Sequence, residues 1–480
     1  MKASKYSNGS ITIFLALCLT LMISVILSTI ESARRLAVSA YLEGITAMAM
    51  DSVFGDYCRQ LWEEYQVFSV VTNEIEFENS LESYITQNSK NGFLQADLND
   101  ITINELCNFT DNNGEYFIEQ VLSSMKYQEI SYIADYILAD SNIDYDPSEL
   151  GDLADSEDFT ELDFGSLYDM VSEANETLVD EDYEEEVDLS DTFSLDSLKS
   201  IMHIFDSTLI YYLVESPYDV SHEKITTNGL PSVFMEKNVS VGTQKYSPLD
   251  KFLLCEYITN HFSSYTTTVK EFALDYQLEY VICGLDNDED NLIECARMLI
   301  LLRFGFNVAH ILTDKDKMNT LASIAETTAA IPALPVIIET ILICLWSIAE
   351  SVIDVRDLLA GKKVALIKTA ANWTLSIENL LDFDYYTESN NSGENGLSYN
   401  NYLEMLLYKN NSHILAARTL DLIQLDYSNT INDTFTITNC VIGASCDFSY
   451  TSNDIFSTVN FYHNTLFAPA YTITHNYYYQ

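Results

Sequence analysis

Ile11–Ile30 reads ITIFLALCLTLMISVILSTI, twenty consecutive residues without a charge. Twenty helical residues span about 30 Å, the hydrocarbon thickness of a bilayer. Twelve of the twenty are Leu, Ile, Val or Phe; at about 0.3–0.6 kcal/mol each, these side chains favour insertion by about 5 kcal/mol together. The stretch therefore predicts a transmembrane helix at residues 11–30, with the lipid bilayer as its partner. No small-residue cleavage motif follows; the chain runs straight on through Glu31-Ser32-Ala33-Arg34-Arg35, which reads as an anchor rather than a cleaved signal peptide. Lys2 and Lys5 face Arg34 and Arg35 across the span, and the free amine tips the count toward a cytoplasmic tail at residues 1–10. The expected topology is single-pass in the cell membrane, with the bulk of the chain extracellular.

Working outward, Val38, Leu42, Ile45 and Ala49 fall on one helical face, and no proline or turn cluster interrupts the chain before Tyr65. This predicts one helix about 80 Å long, whose part at 31–65 is a stalk with weak points at Gly44 and Gly55. Residues 66–138 read as a mixed α/β segment, with a helix near Ile75–Thr86, a strand near Ile101–Leu106 and a helix near Tyr116–Leu138. Between Asp140 and Asp191 there are 21 acidic residues and no Lys or Arg, so 139–194 reads as an acidic linker. A helix-rich core domain is expected over 195–425 and a β-leaning region, with FTITNCVI, DFSYT, STVNFYH and AYTIT, over 426–480. The fold class is α+β.

Inside the helix-rich block, Cys295, Leu299, Leu302, Phe306 and Ala309 recur at helical spacing. Ile331–Ala349 is apolar enough to test as a second span. Glu339 and two prolines interrupt it, and it reads better as a buried helix from near Pro335 to Gly361 whose polar stripe carries Ser347, Glu350, Asp354 and Asp357.

A formal net charge of -50 repels phosphate backbones, which excludes nucleic acid as a partner. Nine cysteines, one of them Cys18 within the span, rule out a tightly stapled disulfide scaffold. Cys440 and Cys446 flank Val-Ile-Gly-Ala-Ser between strand-like runs, where a hairpin would bring them together as a disulfide; the alternative is a free buried thiol.

Candidate chemistry is sparse. Asp286, Asp288 and Asp290 have the alternate spacing of a calcium loop, but Asn291 and Arg297 stand where such a loop needs Gly and Glu, so they read as the acidic start of a helix. Gly361-Lys362-Lys363 lacks the rest of a phosphate loop and reads as a helix stop. The seven histidines never pair at metal-ligand spacing, and no nucleophile elbow appears. The expectation is no enzyme, no catalytic or metal-binding residue and no cofactor. Eight of the 23 basic residues fall within Arg297–Lys368. With Glu279, Arg303, Glu350, Asp354 and Arg356 on apolar stretches, buried structural ion pairs are expected.

Two regions carry a resemblance. One is Gly9-Ser10-Ile11-Thr12-Ile13-Phe14 with Glu31-Ser32-Ala33-Arg34 and Leu61-Trp62-Glu63-Glu64-Tyr65. The other runs from Leu278-Glu279-Tyr280 through Asn291-Leu292, Leu302-Arg303, Trp346, Glu350, Asp354-Val355-Arg356, Gly361-Lys362-Lys363 and Trp373 to Tyr399 and Tyr402. Together they resemble uncharacterised exported, membrane-anchored proteins of Gram-positive bacteria whose start is similar to the TadE/TadG-like minor pilins of the Tad/Flp pilus system. The resemblance implies export, protein partners in a pilus or secretion assembly, and a processing point between Gly9 and Ser10. Such precursors carry glutamate where this chain has Phe14. The functional expectation is a structural or accessory component of a surface assembly. The alternative is a membrane-tethered module that binds or senses an extracellular ligand or cation.

Overall fold

A computed structural model describes residues 7–89, 92–126, 209–238, 246–270, 273–328, 334–377, 389, 396–430, 435–456 and 469–479. The acidic linker, the strand expected at STVNFYH and the end of the helix expected to reach Leu138 lie outside the described residues. The architecture is α+β, with long helices and one small antiparallel sheet, and the chain divides into two compact units: Met1–Ser124 with Thr434–Gln480, and Met125–Asp433.

In the first unit, helix α1 spans Ser7–Gly55. In its apolar first half Phe14, Leu15, Leu19 and Leu21 are exposed among the described residues, and the helix is long and apolar enough to cross a membrane. Its second half is amphipathic: Val38, Leu42, Ile45, Ala49, Val53 and Phe54 are all buried. Where the sequence predicts one helix to Tyr65, the structure has a break. The first helix stops at Gly55, a residue with a high entropic cost of helix formation, and α2 (Arg59–Tyr65) follows after the Cys58 amide is drawn away to Ser69 O at 2.8 Å. Next come β1 (Val70–Val71) and α3 (Glu74–Asn88), capped by Asn73 Oδ1, which accepts from the Glu76 amide. Then β2 (Asp97–Asn108) and α4 (115–126) complete this stretch.

The end of the chain supplies β3 (Cys440–Thr451) and β4 (Ala470–Tyr478). β3 is central, pairing antiparallel with β1, β2 and β4; Ile101 lies opposite Phe448, and Cys446 opposite His475. Its side chains alternate as a one-sided sheet requires. Ala444, Cys446, Phe448 and Tyr450 join the core formed by α1 and α3, while Ser445, Asp447 and Thr451 face the other way and bond to Asn476, Thr474 and Asn99. Phe54 of α1 stacks on Tyr477 of β4 at 4.3 Å between centroids, and the Thr46 and Tyr450 hydroxyls meet at 2.9 Å.

The second unit is helical. α5 (Pro248–His261) starts on a Ser247/Asp250 capping box. α6 (Gln277–Cys283) stops at Gly284, whose φ of 72° lies in the left-handed region that glycine tolerates. α7 (Asp288–Thr313) packs along α9 (Leu334–Leu359), with α8 (Lys315–Thr328) against both; α10 (Tyr399–Lys409) and α11 (Ser412–Thr430) follow. α7 is also long and apolar in composition, but Asn291, Arg303 and Asn307 are wholly buried on it, as in a core helix of a folded unit.

Candidate functional site

α7 and α9 are apolar helices that each carry a polar row at helical spacing: Arg303 and Asn307 on one, Ser347, Glu350, Ser351 and Asp354 on the other. Packing the two rows together takes all six side chains out of water, each at 0% exposure. Such burial is tolerable only when every charge is met by an opposite charge or by oriented donors.

Arg303 meets that condition. Its Nε donates to Asp354 Oδ2 at 3.0 Å, Nη1 donates to Leu366 O at 2.7 Å and Tyr402 Oη at 3.1 Å, and Nη2 donates to Asn307 Oδ1 at 3.3 Å. Asn307 Nδ2 then donates to Ser351 Oγ at 2.9 Å and Asp354 Oδ2 at 3.1 Å. Lys368, from the segment after α9, places its ammonium 2.6 Å from Asp354 Oδ1 and bonds Glu350 Oε1. Glu350 also accepts from the Thr374 and Leu375 amides, each at 2.8 Å. The group is a neutral quartet of two cations and two carboxylates. Burial pushes the Asp354 carboxyl up, but the Arg303 and Lys368 charges outweigh it and hold the group below the usual range. At Glu350 burial prevails over Lys368 and raises it.

An aromatic lid lies beside Lys368. The Trp346 and Trp373 indoles both donate to Leu375 O at 2.8 Å, His310 stacks on Trp373, and the Lys317 ammonium lies 4.7 Å from the Trp373 ring centre. Sequence reasoning did not single out Lys368 as the second cation of the quartet, nor Asn307 and Tyr402 as its hydrogen-bonding neighbours. A helical-spacing signal existed for Asn307, four residues after Arg303, and none for Lys368, which lies in an irregular segment.

Glu279 on α6 sits apart from these cations. Its Oε1 accepts from the Tyr265 amide at 3.0 Å and the Tyr399 hydroxyl at 2.8 Å, and its buried Oε2 has no partner among the described residues. Burial raises its pKa to about 7. Arg356 is half-buried on α9, two residues past Asp354 and so roughly 200° round the helix from it. Asp288 begins α7 and is buried. Its carboxylate accepts from Ser221 Oγ and from the amides of Asp275 and Tyr276, while the cap itself is Asn287.

The Cys440–Cys446 disulfide is not formed, and both thiols are free. The two residues lie on a single strand rather than on the two arms of a hairpin, and six residues of extended chain separate them by ~20 Å. The thiol that raises Cys440's own titration, after burial, is that of Cys58. Gly9 and Ser10 lie in the first turn of α1. Among the described residues no group of three or more His, Cys, Asp or Glu is arranged to hold a metal ion.

The first unit has its own polar focus, where α1 leaves the apolar stretch. Arg34 and Glu31, one turn apart and both buried, pair at 2.9 Å. Arg34 also donates to Phe93 O and Asn453 O, and Glu31 Oε2 accepts from the amides of Ile455 and Phe456 at 3.2 and 2.9 Å. Arg35 Nε donates to Asp454 Oδ1 at 3.0 Å. This collar ties α1 to the loops before β2 and after β3.

A model for a family of unknown function (DUF5702) matches residues 190–452, more than half of the chain. No curated protein and no solved structure matches it.

Proposed function

We infer that this chain, which belongs to the family of unknown function DUF5702, is a membrane-anchored structural or accessory component of a pilus-like or secretion assembly at the cell surface. One observation carries the reading: α1 is a single helix whose first half, over residues 11–30, is uncharged, predominantly apolar and largely exposed, while its second half is locked into a sheet core. A helix continuous through both environments transmits position and force from bilayer to folded unit without a hinge. The collar of Glu31, Arg34 and Arg35 stiffens the junction by tying the helix to β-sheet loops. Past the apolar stretch, α1 keeps an exposed line with Ala33, Leu36, Ala37, Ala40, Gly44 and Met48, a shape that lets neighbouring helices approach closely. The finer reading, a TadE/TadG-like minor pilin with its N-terminus in the cytoplasm, rests on the residues about Gly9 and Glu31 and on this design.

The test is intact mass and N-terminal sequencing of the native protein, recovered separately from membranes and from sheared surface filaments. A chain starting at Ser10 in the filament fraction supports the reading. A chain starting at Met1 and confined to membranes overturns its filament arm.

A tethered binding module is the second reading. It is favoured by a groove of about 490 Å³ beside β1, lined by Asp56, Thr72, Glu76, Asn79 and Ser80 among others. Calcium raising the thermal midpoint by mass action, and losing that effect in Asp56→Asn, would favour it over the assembly role.

A further inference from the structure

Cys283 is the last residue of α6, and Cys295 lies two turns into α7. Their sulfurs lie 3.3 Å apart at thiol–thiol hydrogen-bond distance, with no disulfide between them. The short turn between the helices is held in place by Asn291, whose Oδ1 accepts from the Leu285 amide and whose Nδ2 donates to Leu285 O and Asn287 O. From below, Cys295 rests on Glu279 O, and Cys283 contacts Asn291 O. The pair is therefore preset by two packed helices and a pinned turn rather than brought together by chance on a mobile surface. A disulfide needs the sulfurs at about 2.05 Å, so closure requires a shift of little more than an ångström, which torsion of the half-buried Cys283 at its helix end can supply.

We propose that Cys283 and Cys295 form a dithiol that closes to an intramolecular disulfide when the protein meets a small disulfide oxidant. Exposure assigns the order of events. Cys283 is half-buried and meets the oxidant first, whereas Cys295 is buried. The Cys283 thiol loses its proton, and its sulfur attacks an oxidant RSSR, forming Cys283–S–SR and expelling RS⁻, which takes up that proton. Cys295 then loses its proton, and its sulfur attacks Cys283 Sγ, breaking the mixed disulfide and expelling a second RS⁻, which takes up the second proton. In sum two protein thiols are oxidised to one disulfide and one RSSR is reduced to two RSH. The bond would clamp α6 to α7, the helices that position Glu279 and Arg303, and would shorten the unfolded chain's reach by closing a small loop.

The test uses the full chain in detergent, incubated with oxidised glutathione or with dithiothreitol, alkylated, digested without reduction and mapped by mass spectrometry. The expected result is a linked peptide pair joining Cys283 to Cys295 after oxidation, absent after reduction, with a thermal midpoint raised by about 5–10 °C. That rise should vanish in Cys283→Ser while the other cysteines stay alkylatable. The proposal is overturned if both thiols remain alkylatable after oxidation of the folded protein, if Cys283 stops at a stable glutathione adduct, or if either residue links to a different cysteine. The map of the unmutated chain decides the matter even if a variant fails to fold.

Discussion

Arg303 of α7 and Asp354 of α9 form an ion pair at 3.0 Å in which neither side chain has any exposure to solvent. The pair closes further on Lys368 and Glu350, so its removal changes the charge balance of a dry interior. Asp354→Leu strands two buried cations against one remaining carboxylate, and should cost about 3–5 kcal/mol. Arg303→Met with Asp354→Leu removes one charge of each sign and should recover a substantial part of that loss. Urea denaturation of Asp354→Leu, Arg303→Met and the double variant measures it, and a double variant as unstable as the sum of the two singles would show that the pair is not the source of the energy.

Glu279 sets a pH dependence. Its folded-state pKa of about 7 lies above the ordinary carboxyl value of 4.5 because burial disfavours the charged form. The folded state thus holds a proton that the unfolded chain releases. The associated stability is fully present below pH 4.5 and is lost as pH rises toward 7. Glu404, raised to about 7, and Asp421, raised to about 6, act in the same direction. His261, lowered by burial, opposes them below pH 6.5. Glu279→Gln isolates the contribution of Glu279: relative to the parent it should gain on the order of 3 kcal/mol between pH 4.5 and pH 7.5. Denaturation midpoints of the two proteins across that range supply the check, and parallel curves would contradict it.

The Glu31–Arg34 collar predicts a local effect. Glu31→Ala deprives the Ile455 and Phe456 amides of their acceptor and leaves the buried Arg34 with no carboxylate, only the Phe93 and Asn453 carbonyls and the Ser452 hydroxyl. Loss of those bonds, at about 1–2 kcal/mol, should speed hydrogen exchange at these two amides by roughly 5- to 30-fold, with smaller changes at the β2–β3 ladder. Uniform acceleration through the first unit would mean that the collar holds the whole fold rather than its loops.

Leu19 stands in the middle of the apolar stretch with 58% of its surface exposed. On the proposed membrane-anchored reading, Leu19→Arg places a charge at the bilayer centre at a cost of about 2.5–3.5 kcal/mol, half or more of the gain of about 5 kcal/mol for the segment. Alkaline extraction of membranes should then release a larger fraction of the chain than for the parent. Equal retention would argue that contacts elsewhere hold the protein to the membrane.

The two rows that build the buried quartet show how far the amino-acid order carries. Glu350 and Asp354 appear as a polar stripe on an apolar helix, and Arg303 as a cation in an apolar stretch of another, so a need for pairing is legible. Which cation meets which anion is not. Lys368 reaches Glu350 and Asp354 from an irregular stretch, where no periodicity says which way a side chain points. Glu279 carries the same lesson from the other side, since its partners are the Tyr399 hydroxyl and a backbone amide rather than a cation. Cys440 and Cys446 show the cost of a local reading: a seven-residue interval suits a hairpin, and only pairing with β2 and β4 makes it one extended strand.

What the sequence determined by itself was the apolar span of α1, its amphipathic continuation, and the α+β class, because each follows from composition or from a 3.6-residue or two-residue period read over a short window. What only the tertiary structure decided was that the last strands of the chain complete the sheet against α1, that Glu31 and Arg34 are bound by loops from both ends of the sequence, and that Cys283 faces Cys295. Those contacts join residues between which no local pattern runs, and the energy that selects them, burial of one face against another, exists only once the faces have met.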